Sequence, residues 1–386
     1  MSSSALAHPH FSPSAEAAPR FPAEAPPTFT NPIAPGADPW VVQHEGLYYW
    51  CASEHDLGVA VYRSETLTQR GEKVVVWRAP STGPHSREVW APELHRVDGR
   101  WYIYGAASSG RNETHRMIVL EAVGDTPTSE FRFKAELYTG DDRAAGKPNR
   151  WAIDGTILEH DGRRYLIWSG WEDERDEQWL YIARMANPWT LTGPRVRLCA
   201  NDDFLWERVD ETAASRGLNE GPQILQRDGR VFVVYSASAS WEVSYKLGLL
   251  ELLPGGDPLQ PAAWRKHREP AFQATATTWG VGHNCFVKSP DGAEDWIVFH
   301  AKLETKPNWN RAIHVQPFQW DDSGRPIFGQ PIGAGVALAR PSGEFDAPRE
   351  FAEATTGAEV ALGRAALAAA IGEMPLVETV TVFDTP

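Results

Sequence analysis

A hairpin signature returns five times between residues 38 and 299. In each copy an apolar strand runs into a glycine turn and an aromatic-rich strand comes back. The copies occupy residues 38–50, 90–104, 154–168, 220–235 and 283–299, with turn glycines Gly46, Gly99, Gly162, Gly229 and Gly292. Four of the turns read Asp-Gly and the first reads Glu45-Gly46. Asp-Gly between apolar runs is the strongest short hairpin signal, because both residues tolerate positive φ. Successive glycines lie 53, 63, 67 and 63 residues apart. An interval of that length holds four short strands, and a four-stranded sheet repeated round an axis is the blade of a β-propeller. Residues 31–340 divide into five such units of about 62 residues. The expected fold is all-β: one five-bladed propeller of four-stranded antiparallel blades. Apolar stretches beginning at Gly58, Met117, Trp179 and Lys246 supply further strands. A β-sandwich followed by a second β-domain would explain neither the period nor the common register.

That register gathers carboxylates. Asp38 and Asp154 each stand eight residues before their turn glycine, while Trp90, Glu220 and His283 stand nine before theirs. If the first strand of each hairpin lines the axis, these positions converge at one end of it. Asp38, Asp154, Glu220 and His283 then share a pocket, although 245 residues separate the first from the last. Acids crowded in a partly desolvated pocket repel one another, and at least one pKa rises. A purely structural hub would carry apolar groups. Each acid alone reads as a strand-end cap; the shared register is what points to acid–base chemistry, one carboxyl kept protonated and one ionised. Glycosidic bond cleavage uses such a pair, and aromatic side chains at the rim would stack on sugar faces.

Composition narrows the alternatives. Of 386 residues, 42% are hydrophobic and 23% charged, which is enough to build a core. No run of about 20 apolar residues reads as a membrane span. A net charge of −14 disfavours phosphate backbones, so neither nucleic acid nor membrane is an expected partner. Cys51, Cys199 and Cys285 form no disulfide framework and fit no zinc spacing. The odd thiol count, with no basic start or apolar centre to a leader, points to a cytoplasmic location, export being the alternative. The 17 Trp against 4 Met are assigned mostly to packing between sheets. Residues 1–30, rich in Ala, Pro and Ser, read as a disordered or linker-like segment. Residues 341–386 read as a C-terminal extension with a short Ala-rich helix at 359–371, where Val360, Leu367 and Ile371 fall at near-helical spacing.

Five short motifs, one per blade and in order, carry a family resemblance. They are Ala37-Asp38-Pro39-Trp40, Val89-Trp90-Ala91-Pro92-Glu93, Ile153-Asp154-Gly155, Asn219-Glu220-Gly221-Pro222 and Gly282-His283-Asn284. Over residues 31–340 the chain resembles glycoside hydrolase family 43, five-bladed propeller enzymes acting on arabinose- and xylose-containing polysaccharides. The resemblance implies that Asp38 is the general base, that Glu220 is the general acid, and that Asp154 orients Glu220 and tunes its pKa. It implies Arg311 beside Asp38 and the sugar, where a guanidinium would favour ionised carboxylates and grip a hydroxyl; an ordinary surface ion pair is the alternative. Trp90 and Ala91 would line the terminal sugar pocket, with Glu54 and His55 bordering it. Trp40, Trp168, Trp171 and Trp279 are stacking candidates that compete with blade packing. His283 would lie on the axis, contacting a hydrated structural Ca²⁺ or Na⁺ through water or simply hydrogen-bonded. The chemistry itself would require no cofactor. The family inverts anomeric configuration, which calls for an acid–base separation of roughly 6.5–9.5 Å.

Within that family, residues 89–95, 219–223, 235–240 and 280–284 look most like the exo-acting α-L-arabinofuranosidases that cut α-1,5-arabinan. β-D-Xylosidase is the near alternative, and the expected substrates are arabinan, arabinoxylan or their oligosaccharides. The 46 residues after Arg340 are too few for the extra β-sandwich that many xylosidases carry. Pocket depth would be set by loops 81–88, 109–115, 172–177 and 198–217. A retaining, fructan-cleaving propeller would show Asn-Asp-Pro-Asn where this chain has Ala37-Asp38-Pro39-Trp40. A silent sugar-binding propeller would not need all three acids.

Overall fold

The structure, a computed structural model, describes residues 27–344. Five sheets surround a central axis, and each follows one hairpin repeat. Blade one runs outward through Trp40–His44, Leu47–Ser53, Gly58–Ser64 and Glu72–Arg78. The inner strands of blades two to five are Arg87–Val97, Ala152–His160, Asn219–Arg227 and Trp279–Lys288. Every pairing within a blade is antiparallel. Among the described residues the only helical segments are three single turns of 3₁₀ helix. The five-bladed, four-stranded architecture expected from the repeat is the one observed.

The turns explain the uneven count. Glu45, Asp98, Asp161 and Asp228 have φ of 50, 50, 49 and 50°, and the glycines after them are also positive. Two positive φ values make a tight two-residue turn whose twist suits the strands. In blade five the ladder ends at Lys288 and Asp295, so the connection is longer and Gly292 falls one residue later.

Five apolar cores hold the ring, one at each blade interface. Tyr104, Trp151 and Trp168 fill the seam between blades two and three. Trp50, Trp296 and Cys285 fill the seam between blades five and one. Eight of the tryptophans are buried in this way, Trp168 and Trp171 among them. Burying one large apolar side chain contributes roughly 1.5–3 kcal/mol, so these seams dominate stability.

Blade five takes its fourth strand from the other end of the chain. Ala34–Pro35 pairs with Arg311–Trp320, closing the ring. A second clasp joins Thr28–Thr30 to Ala337–Ala339, so strand pairing reaches back before residue 31. The Ala-rich segment 359–371 and most of residues 1–30 lie outside the described residues.

Candidate active site

Each inner strand opens on a backbone irregularity that aims a side chain. Asp38, Ala91, Asp154, Gly221 and His283 all take left-handed backbone, with φ of 49, 41, 56, 51 and 44°. In blades two to five the ladder to the return strand breaks at this point, as between Ile153 and Thr156 or Glu220 and Gln223. Bulges of this kind re-aim side chains next to functional sites. The equivalent positions are therefore Asp38, Ala91, Asp154, Gly221 and His283. Trp90 and Glu220 each stand one residue earlier than the count from the turns aligns them. Asp and His tolerate this conformation better than most residues; Ala91 has no such help, and its φ costs roughly 1–2 kcal/mol.

Three cationic or polar groups converge on Asp38. Its Oδ1 lies 3.3 Å from His283 Nδ1, from His300 Nδ1 and from Arg311 Nη1. Burial alone would raise its pKa, but His283 and Arg311 outweigh burial and hold the carboxyl well below the usual carboxylate range. Its backbone N–H donates to His300 Nδ1 at 3.2 Å, which leaves the ring proton on Nε2. Burial pushes His300 down to about 3, so this imidazole is neutral. A quarter of the Asp38 side chain stays solvent-accessible, whereas Asp154 and Glu220 are buried.

Glu220 stands in the opposite electrostatic state. Burial raises it to about 7; a hydrogen bond from Tyr245 restrains that rise, the charge of Asp38 adds to it, and Arg311 and Gln178 pull it back. Tyr245 Oη donates to Glu220 Oε1 at 2.7 Å. Asp154 accepts the Gly221 backbone N–H at 2.9 Å, one residue beyond Glu220. Burial, together with the charges of Glu220 and Asp38, keeps Asp154 well above its ordinary value. The two buried acids thus keep a proton at a pH where free carboxyls are ionised.

Side chains on the return strands stitch neighbouring blades together beneath this cluster. Ser169 Oγ donates to Asn219 O at 2.9 Å. Ser236 Oγ accepts the His283 N–H at 2.8 Å, and His300 accepts the Asp38 N–H. Opposite Ser169, Ser236 and His300 across the hairpin lie Ile153, Glu220 and Gly282. Blades three, four and five therefore each fix the main chain that aims the next blade's functional side chain. Gln178 is set the same way: Ser169 Oγ also lies 3.1 Å from its Oε1, and the amide reaches Glu220.

The remaining sequence-derived candidates fall into two groups. Trp90 is half-buried with its ring stacked on His115 at 3.9 Å, and Ala91 is buried beside it. His55 is exposed on a loop pinned to the Trp90 strand by the Val89 N–H to Asp56 O bond of 3.1 Å. The Trp40 indole N–H donates to Leu94 O at 2.8 Å and its ring packs on His95 at 4.6 Å, tying blade one to blade two. Trp168 and Trp171 are interior, the latter stacked on Trp151 at 4.7 Å, and Trp279 is half-buried. Tyr245, His300 and Gln178 are groups the sequence reading did not single out. Glu93 was quoted only as part of a motif; it is buried near the axis, bonded to Gln223 and, at 2.8 Å, to His95. Among the described residues no three His, Cys, Asp or Glu side chains cluster as a metal cage.

Comparison with known proteins places this pocket in a lineage. The family model described as "Glycosyl hydrolases family 43" matches residues 29–326. Alpha-L-arabinofuranosidase 43 of Humicola insolens is 38% identical over 320 residues, which are 79% of this chain and 63% of that protein. The extracellular exo-alpha-(1->5)-L-arabinofuranosidase of Streptomyces avermitilis is 34% identical over 329 residues, covering 81% of this chain and 66% of that one. The chain therefore spans just under two thirds of the length of these two relatives. The crystal structure of alpha-L-arabinofuranosidase from Lactobacillus brevis superposes with a TM-score of 0.72 at 32% identity, covering 80% of this chain and 98% of that one. On the family match and these identities, the chain belongs to glycosyl hydrolase family 43.

Proposed function

We propose that the protein is an inverting glycoside hydrolase that releases terminal α-L-arabinofuranose from arabinan or arabino-oligosaccharides. The observation that carries this reading is the opposed electrostatics of two carboxyls in one pocket. Asp38, ionised and water-accessible, would take a proton from the attacking water. Glu220, protonated near neutrality, would give its proton to the departing glycosidic oxygen. The bond from the anomeric carbon to that oxygen breaks as the new bond to water oxygen forms, with inversion. Asp154 holds the main chain next to Glu220 through the Gly221 N–H and shares the buried charge balance that tunes the Glu220 proton. Arg311 keeps Asp38 ionised and is positioned to hold a sugar hydroxyl. The arabinofuranosidase names of the relatives support the sugar assignment.

A hydrated Ca²⁺ or Na⁺ on the axis is part of this proposal. Water would supply most of its ligands, since the Nδ1 of His283 already faces Asp38. The proposed location is cytoplasmic, where the enzyme would finish imported oligosaccharides.

The test is a comparison of aryl α-L-arabinofuranoside with aryl β-D-xyloside, followed by linear α-1,5-arabino-oligosaccharides with NMR detection of the first anomer released. The expected result is hydrolysis of the arabinosides with inversion. Asp38→Ala should abolish turnover, and Glu220→Ala should lose most activity on natural glycosides but less on aryl glycosides with good leaving groups. Wild-type rates in both variants would overturn the assignment of roles, and preferential cleavage of the xyloside would overturn the sugar.

A further inference from the structure

Of the 17 tryptophans, Trp309 alone is exposed, at 59%. It immediately precedes Asn310 and the strand that begins at Arg311. The Arg311 guanidinium lies 5.3 Å from the Trp309 ring centroid and also bonds Asp38, so one side chain joins the exposed indole to the carboxylate. A second indole completes a corner: Trp241 lies 5.1 Å away at an interplanar angle of 58°. Trp241 belongs to the blade-four loop between Ala237 and Lys246, and Tyr245, which bonds Glu220, follows it by four residues. The corner therefore spans the rim from the Glu220 blade to the Arg311 strand.

The two loops are locked together. The buried ammonium of Lys302 donates to Trp241 O at 2.8 Å and to Asn308 O at 2.7 Å. The Asn308 N–H donates to the same Trp241 carbonyl at 3.1 Å. A buried lysine spent on main-chain carbonyls is a costly way to shape a loop, and its effect is to present a large apolar ring to water. Folding alone would favour covering that ring.

We infer that Trp309 and Trp241 form a subsite for the sugar ring on the leaving-group side of the scissile bond, stacking on its apolar face. The occupant is the second ring of the oligosaccharide, because Trp241 belongs to the loop that leads to Tyr245, the hydrogen-bond donor to Glu220. Arg311 orients the Trp309 ring through its guanidinium face while its other end serves Asp38. This inference rests on the glycosidase reading and deepens it. Binding to a remote ring would be expressed in turnover of longer substrates and not in turnover of small ones.

The experiment compares wild type, Trp309→Ala and Trp309→Phe on whichever pentoside the wild type cleaves, offered as the disaccharide and as the methyl glycoside. Calorimetric titration with the trisaccharide runs alongside. Trp309→Ala should lose about tenfold in kcat/KM on the disaccharide and in trisaccharide affinity, with methyl glycoside turnover within about twofold of wild type. Trp309→Phe should recover most of the loss. Equal loss on both substrates, or no loss on either, would overturn the subsite while leaving the hydrolase intact. A wild type that binds the trisaccharide through Trp309 yet hydrolyses nothing would overturn the hydrolase and leave the subsite. Because Trp309 is exposed, its replacement does not threaten folding.

Discussion

Two carboxyls of nearly equal intrinsic acidity are driven apart by what lies within hydrogen-bonding reach. Asp38 meets Arg311 and two histidines; Glu220 meets a phenol and an amide in a buried setting. With Asp38 ionised throughout, the loss of the Glu220 proton should set the alkaline limb of kcat/KM near pH 7, falling about tenfold per pH unit beyond it. The Tyr245 hydroxyl favours the ionised form of Glu220. Tyr245→Phe should therefore move that limb to higher pH while lowering the maximal rate, as a pH–rate profile would show. A limb that stays in place would mean Tyr245 is only packing. Stability carries the same signature. Folded Glu220 holds its proton to about pH 7, while the unfolded chain releases it near 4.5. Between these values the native state binds the extra proton, so stability falls as pH rises. Glu220→Gln removes that penalty and should stabilise the protein by up to about 3 kcal/mol near pH 8, with little gain at or below about pH 4.5. Urea denaturation at both pH values checks it, and a gain of equal size at the two would refute the linkage.

At the level of strands and turns, the hairpin period was legible because each turn demands positive φ, and Gly after Asp announces that need in the sequence. The acids were legible because they precede those turns at a near-constant distance. Their partners were not. Ser169, Ser236 and His300 share one register on the return strands, but Ser, Ser and His share no composition that a single sequence would flag. Tyr245 lies just before the third strand of blade four, outside the hairpin period altogether. Trp40 shows a related ambiguity: an aromatic beside Asp38 looks like a sugar platform, and its N–H is also spent on the neighbouring blade. Gly282 illustrates how a small residue carries site geometry. A Cβ there would overlap Cε1 and Cδ1 of Tyr245, whose ring stacks on His300 at 5.4 Å. Gly282→Ala should displace the phenol from Glu220. The expected outcome is a lower kcat and the same alkaline shift as Tyr245→Phe, with circular dichroism still reporting the β fold. A Gly282→Ala enzyme with the wild-type pH profile would show that the ring finds another route to Glu220.

For the molecule as a whole, closing the ring and placing Asp38 are one event. The segment that completes blade five ends three residues before Asp38. Ile33 N–H donates to Ile313 O at 2.9 Å and Gly36 N–H to Arg311 O at 3.2 Å, so the strap that bears Asp38 is paired with the strand that begins at Arg311. The sequence announced five units but not which end of the chain would close them, since a two-residue strand such as Ala34–Pro35 has no pattern to read. Asn31 anchors the strap. It is buried, and its side chain imitates a strand partner: Nδ2 donates to Val315 O at 2.8 Å and Oδ1 accepts the Val315 N–H at 2.9 Å. Asn31→Ala would leave both main-chain groups of Val315 buried and unpaired at this seam, a loss of about 2–4 kcal/mol. Because the strap is local to the seam between blades five and one, it should loosen before the other four seams open. Activity of Asn31→Ala should then disappear at lower urea than the tryptophan fluorescence of the buried cores, whereas in wild type the two transitions lie closer together. Coincident transitions in the variant would mean that the ring opens only as a unit, and that the pairing of Asp38 with Arg311 is secured by the whole propeller and not by its clasp.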